Sequence, residues 1–137
     1  MASKTKEVEK PFVMISPTEY KIIIDGKPRT IKTSFGLNEL LFREFIYGGG
    51  IINPETGEIT TDIMSLISSF RPIGDILLTE FDDYGKVVTQ GTTFNLKTKD
   101  LVNLFKLASE LIMLFIPELE ALKEIQTTPT LKESESL

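Results

Sequence analysis

The segment from Lys99 to Ile116 constrains the fold more than any other part of the chain, because it contains neither glycine nor proline. Its apolar residues recur with the spacing of an amphipathic helix, which predicts the longest helix of the protein. Lys99, Asn103, Lys106 and Glu110 form a single narrow polar stripe along the first half of this helix. Beyond Glu110 the stripe ends.

The stretch from Leu111 to Ile116, LIMLFI, is apolar on every side of the predicted helix. At 100° per residue its side chains sweep about 600°, so no single neighbouring element can cover all of them. Pro117 follows this stretch and would clash with the carbonyl of Met113 in an unbent helix. We therefore expect a new segment, which would be a short amphipathic extension, to start at Pro117.

A membrane span is a poor explanation of this stretch, because a span needs about 20 apolar residues. The stretch is bracketed too closely for a span by four charged residues, namely Lys106, Glu110, Glu118 and Glu120. Two interpretations stay open: a core helix enclosed by the same chain, or an interface. Since a chain of 137 residues covers a central helix poorly, at least one side is expected to meet another subunit or a client protein. The residues predicted to make this contact are Phe105, Ile112, Met113, Phe115 and Ile116.

A β-hairpin is predicted between Tyr20 and Ser34, where two β-branched segments flank Asp25-Gly26. Such a pair tolerates the positive φ values of a tight turn. Because proline cannot donate to a strand ladder, Pro28 is expected within a four-residue loop. The side chains predicted to share the buried sheet face are Tyr20, Ile22 and Ile24, with Ile31 as their cross-strand neighbour. An additional edge strand is predicted at 12–16.

Two further amphipathic helices are indicated before the long one. The first follows Ser34 and ends at Gly48, and the second starts near Thr61. Pro72 is expected to end or kink the second helix, which leaves 73–81 as either helix or strand, with helix favoured. The predicted fold is therefore α+β: an N-terminal hairpin, or a small antiparallel sheet, packed on three to four helices.

The ends of the chain are polar and of low apolar content. Residues 1–11 are predicted to be a flexible arm, residues 12–125 a single domain, and residues 126–137 a disordered tail. The first ten residues contain no apolar segment of the kind that a signal peptide needs, so a cytoplasmic location is expected.

The chain contains no cysteine and no histidine, which removes most catalytic and metal chemistry. Thiolate zinc sites and the Ser-His and Cys-His pairings are excluded, and no cofactor or catalytic residue is predicted.

The glycines at 48–50 lack the lysine and serine or threonine of a phosphate-binding loop. The acids Glu80, Asp82 and Asp83 fail the calcium-loop pattern and are typical of a solvated turn, although an enzyme based on them is a third possible class. A formal net charge of −5 argues against nucleic-acid binding.

The order of these elements resembles the tail assembly chaperones of long-tailed bacteriophages. The likeness rests on YKIIIDGKPRTIKTSFGLNELL, a hairpin that leads into a helix, and on NLKTKDLVNLFKLASELIMLFI, which is similar to a late helix of that family. It spans roughly residues 20–116. The sequence departs from the family pattern at Leu111, where many members have a histidine.

This resemblance implies a non-catalytic chaperone in the host cytoplasm that binds the tape measure protein and helps to recruit tail tube subunits. It implies no membrane, and a homo-oligomer stays possible. The alternative class is a structural virion component, such as a tail completion or connector protein, whose hairpin and ends would bind neighbours in a ring.

Overall fold

A computed structural model of the chain describes residues 11–48, 50–53, 55–59 and 62–126, with side chains up to Leu122. The predicted arm and tail therefore lie outside the described residues, apart from Pro11 and Gln126. The fold is α+β, as predicted, with a three-stranded antiparallel sheet, a two-stranded one and three α-helices. The elements are β1 (Phe12–Ser16), β2 (Glu19–Ile24), β3 (Lys27–Lys32), α1 (Phe35–Arg43), α2 (Ile63–Leu78), β4 (Glu80–Phe81), β5 (Val87–Thr89) and α3 (Thr98–Gln126).

The larger sheet has the strand order β1-β2-β3, so β1 and β3 are its two edges. Alternate side chains of β2 point to the helices, because successive residues of a strand face opposite sides. The predicted buried face is confirmed, and it consists of Tyr20, Ile22, Ile24 and Ile31. Tyr20 and Ile31 are directly paired across β2 and β3. Phe12 of β1 extends this face and packs edge-on against Tyr20.

The turn between β2 and β3 contains two residues, Asp25 and Gly26, with φ values of 54° and 78°. The predicted four-residue loop is therefore wrong, since Pro28 lies within β3 and pairs with Ile23. A proline is tolerated there because β3 is an edge strand, where a missing N–H group need not break a ladder. The N–H group of Asp25 donates to Oδ2 of Asp100 at 2.9 Å, which ties the turn to the start of α3.

Helix α1 begins after Ser34, whose hydroxyl accepts a hydrogen bond from the N–H group of Leu37. Its last turn widens into a π-helical segment at Glu44–Gly48, so helical structure ends at the glycine that the sequence indicated. Leu41 and Phe45 are buried on its inner side. Beyond it, Ile52 and Ile59 form an isolated antiparallel bridge.

Helix α2 begins after Asp62, which accepts a hydrogen bond from the N–H group of Ser65. Thr61, where the sequence placed the start, lies outside the described residues. Of the two outcomes expected at Pro72, an end of the helix is wrong, because the helix continues through this residue to Leu78. Proline costs the helix one hydrogen bond, but the turns on either side are held by buried Ser69, Ile73 and Leu77. The favoured helical assignment of 73–81 is thus correct up to Leu78.

Helix α3 is 29 residues long, which corresponds to about 44 Å. It too continues through its proline, so the predicted new segment at Pro117 does not form. The carbonyl of Met113 loses its helical donor there, but Met113 is exposed and water can replace that donor. The buried apolar side chains of α3, as far as Leu122, are Leu104, Leu107, Ala108, Leu111, Ile112 and Phe115.

Helices α2 and α3 approach closely at Gly74. A Cβ atom there would lie 2.7 Å from Cγ2 of Thr93 and 3.0 Å from Cδ1 of Leu101, so the contact depends on the absence of a side chain. Asp75 fixes the adjoining loop by accepting hydrogen bonds from the N–H and hydroxyl groups of Thr93. Arg29 of β3 donates to the carbonyl of Leu78 at 3.0 Å and joins the sheet to the end of α2.

We predict that Leu104→Ala lowers the free energy of unfolding by about 2–5 kcal/mol, because it leaves a cavity where the side chain is fully buried. Leu122→Ala is the matched control on the same helix, since Leu122 is about half exposed, and should change stability by about 0.5 kcal/mol or less. Urea unfolding followed by circular dichroism measures both. Equal effects would contradict the core position of α3.

Candidate functional site

The apolar stretch of α3 is divided between the core and the surface. Ile112 and Phe115 are each 2% exposed, whereas Met113 and Leu114 are 59% and 53% exposed. Consecutive helical residues point about 100° apart, so burial of one side of LIMLFI against the sheet and α1 leaves the other side uncovered. The core interpretation therefore holds for one side of this stretch, and contact of the other side with a partner stays a prediction.

The five residues predicted to bind a partner occupy different environments. Phe115 contacts the rings of Phe35 and Phe42, with centroids 5.5 and 6.0 Å away. Phe105 is half-buried, stacks on Phe45 at 5.6 Å and lies 4.7 Å from Phe70. These rings hold the helices together. Ile112 is buried with them, Ile116 is half-buried, and Met113 is the one residue of the five that is mostly exposed.

Leu114 was not among the predicted residues, yet it lies on a groove between the sheet and the second half of α3. We call this the β1–α3 groove. Its volume is about 290 Å³, and its walls come from β1, the β1–β2 turn, β2, the segment after β3, α1 and α3. Its lining residues are Met14, Pro17, Tyr20, Thr33, Asn38, Leu111, Leu114, Phe115 and Glu118. Most of the side chains are apolar, and Met14 and Leu114 form its exposed rim.

Strand β1 borders this groove and has an unusually apolar edge. Val13, Met14 and Ile15 are 60%, 57% and 53% exposed, and β1 contains no charged residue. The opposite edge, β3, has the sequence KPRTIK, whose proline and cations discourage pairing with another strand. Among the described residues, β1 lacks comparable protection. The sequence signal for this edge was the uncharged segment FVMIS.

The polar side chains that line the groove are those of Tyr20, Thr33, Asn38 and Glu118, of which only the Glu118 carboxylate is negatively charged. The side-chain oxygen of Asn38 is shielded from solvent and has no hydrogen-bond donor within the described part of the chain. Glu118 adds a carboxylate at one end. Burial raises the pKa of the Tyr20 hydroxyl, and the charge of Glu110 raises it further. The groove is therefore apolar and electronegative.

Other exposed apolar groups lie elsewhere on the surface. Ile63, Met64 and Ile67 share the outer face of α2, and Val87 and Val88 lie on the small hairpin. A wider groove near the start of α3 has a volume of about 680 Å³. It combines Lys97, Lys99 and Lys106 with Asp25 and Asp100, so its charges partly balance, and its surface is less apolar than that of the β1–α3 groove.

Of the acids at 80–83, Glu80 lies in β4, and Asp82 and Asp83 lie in the connection between β4 and β5. Oδ1 of Asp82 accepts hydrogen bonds from the N–H groups of Tyr84 and Lys86 at 2.8 and 2.9 Å, so this side chain holds the β4–β5 connection in shape. Within the described ranges, no three acidic side chains are placed to bind a metal ion. Of the glycines considered for phosphate binding, Gly49 lies outside the described residues.

None of the helices in the described part of the chain is long and apolar enough to span a membrane. No family model, curated protein or solved structure matches this chain.

We predict that stability falls with pH above about 10 partly through Tyr20. The unfolded chain releases this proton near the ordinary pKa of 10.0, whereas the folded chain keeps it to higher pH. The contribution is fully present below pH 10 and is lost as pH rises through the raised pKa, because the unfolded state then binds fewer protons. Urea unfolding between pH 9 and 11 should show a shallower decline for Tyr20→Phe than for wild type.

Tyr84→Phe is the control for this measurement, because Tyr84 is exposed. It should follow the wild-type pH dependence. A decline as steep in Tyr20→Phe as in wild type would show that Tyr20 is not the group responsible.

Proposed function

We propose that this protein is a phage tail assembly chaperone. It binds apolar segments of the tape measure protein in the host cytoplasm, keeps them from aggregating, and helps to recruit tail tube subunits during tail morphogenesis. It acts without catalysis. The observation that carries this proposal is the apolar β1–α3 groove, whose rim consists of exposed Met14 of β1 and exposed Leu114 of α3. The resemblance over residues 20–116 supports the same function.

The chemistry of this surface suits transient binding of several client segments. Methionine is flexible and polarisable, so it adapts to apolar partners of different shape. Met14 lies on the sheet side of the groove and Met113 on the exposed side of α3. Exposed apolar patches of this kind are typical of protein-binding sites. Recruitment of tail tube subunits rests on the family resemblance alone.

Neighbouring residues of α3 differ in burial, so substitutions can test the exposed surface separately from the core. Leu114 is mostly exposed, so aspartate there should leave the fold intact while it removes apolar binding surface. Phe115 is buried, so aspartate there should unfold the protein, because an unpaired charge in the core costs several kcal/mol.

We predict that Leu114→Asp, with or without Met113→Asp, leaves the circular dichroism spectrum unchanged but greatly reduces the amount of co-expressed tape measure protein that stays soluble. Val88→Asp is the matched control, because Val88 is similarly exposed but lies on β5. It should keep the client as soluble as wild type does. A folded Leu114→Asp variant with full client solubility would refute the assignment of this surface.

A structural virion component is the second candidate, because the unprotected edge of β1 could join neighbouring subunits in a ring. Mass spectrometry of purified virions separates the two. A chaperone should be missing from the finished particle, whereas a stoichiometric copy number in the virion would overturn the chaperone proposal.

A further inference from the structure

The β1–α3 groove has the size of a side-chain pocket. Its volume of about 290 Å³ lies at or below the lower end of the ~300–1,000 Å³ that small-molecule sites occupy. A whole helix cannot enter it. One long side chain can, with an apolar stem against Leu111, Leu114 and Phe115.

One oxygen atom of the groove lining lacks a donor, and the one charged lining residue is an acid. Asn38 Oδ1 accepts no hydrogen bond from any described residue, although burial of an acceptor without a donor is costly. Glu118 supplies a carboxylate, and none of the lining residues carries a positive charge. Lysine and arginine side chains combine an apolar stem with a cationic donor tip. They match this groove in both respects.

The charges along α3 favour the same ligand. Glu110, Leu114 and Glu118 follow one another at intervals of four residues, so they form one row on the helix surface. Of the two acids in this row, Glu118 lines the groove next to the exposed leucine. A cation in the groove would meet this negative field, whereas an anion would be repelled.

The edge of β1 provides a way to deliver such a side chain. Met14 pairs with Tyr20 of β2, and both side chains line the groove. In a strand added beside β1, alternate residues would face the same side of the sheet as Met14. Addition of a strand to an exposed sheet edge is a known mode of peptide binding, in which backbone hydrogen bonds give affinity and pockets for alternate side chains give specificity.

We propose that the β1–α3 groove binds a lysine or arginine side chain from an extended apolar segment of a partner protein that pairs with the edge of β1. The cation faces the carboxylate of Glu118, the one charged residue of the lining. The identification of this partner as the tape measure protein rests on the proposed function. The preference of the groove for a cationic side chain is independent of that function. Charge complementarity argues for a basic partner segment over the uncharged β1 of a second copy.

The test uses three blocked nonapeptides with valine at odd positions and threonine at even positions, except that the central residue is arginine, glutamine or glutamate. Titrations followed by NMR should show the arginine peptide binding about tenfold or more tightly than the glutamine peptide, because its hydrogen bonds are charge-assisted. The glutamate peptide should bind weakest. Binding should shift the side-chain amide of Asn38 and slow hydrogen exchange in β1.

Glu118→Gln should reduce the affinity for the arginine peptide to about that for the glutamine peptide. Glu120→Gln is the matched control, because it makes the same change in net charge at an exposed position that does not line the groove. Equal affinities for the three peptides, or equal losses in the two variants, would overturn the proposal. So would the absence of any effect on β1.

Two other occupants are distinguished by the same assay. If the chain's own end at 127–137 fills the groove, a truncation after Gln126 will bind the arginine peptide more tightly than the full chain. If a second copy fills it, sedimentation will show a dimer that the peptide dissociates. Either result would replace the proposed partner segment.

Failure of this inference differs from failure of the proposed function. If the peptides do not discriminate but Leu114→Asp still abolishes client solubility, the chaperone function stands and the groove specificity is wrong. If the arginine peptide binds as described but the tape measure protein is not kept soluble, the groove is a basic-segment site in a protein of different function.

Discussion

The burial of one side of α3 is the interaction on which the rest of the structure depends. This helix meets α2 at a contact that requires Gly74, and α1 through the rings around Phe115. Its first turn is tied to the β2–β3 turn through Asp100. Every large element is therefore positioned relative to α3. A chain of this size has too little material to surround so long a helix, so its opposite side stays exposed.

The candidate site is a consequence of that incomplete coverage. Between the sheet and the second half of α3, mostly apolar side chains line a narrow groove in which Glu118 is the one charged lining residue. The adjacent edge of β1 lacks the proline and charges that protect β3. An exposed apolar edge favours aggregation, and its presence beside an electronegative groove is consistent with a surface that binds extended, basic and apolar segments.

Much of the fold was predictable, because its signals are local. Asp25-Gly26 specifies a tight turn, and the alternation of Tyr20, Ile22 and Ile24 specifies which sheet face is buried. The two prolines were misjudged for a shared reason. At Pro72 the cost of the lost hydrogen bond is outweighed by packing of the helical turns before and after it. At Pro117 solvent replaces the lost donor. Pro28 was misplaced because its tolerance depends on β3 being an edge.

The sequence by itself determined that the chain forms a hairpin, amphipathic helices and one long apolar helix, and that histidine and cysteine chemistry is absent. Only the tertiary structure decided which side of LIMLFI is core. A helix that is apolar all round has no periodic signal to mark its inner face, so Phe115 and Leu114 are equivalent in the sequence. The positions of α1 and the sheet make the first of them a core residue and the second a rim of the groove.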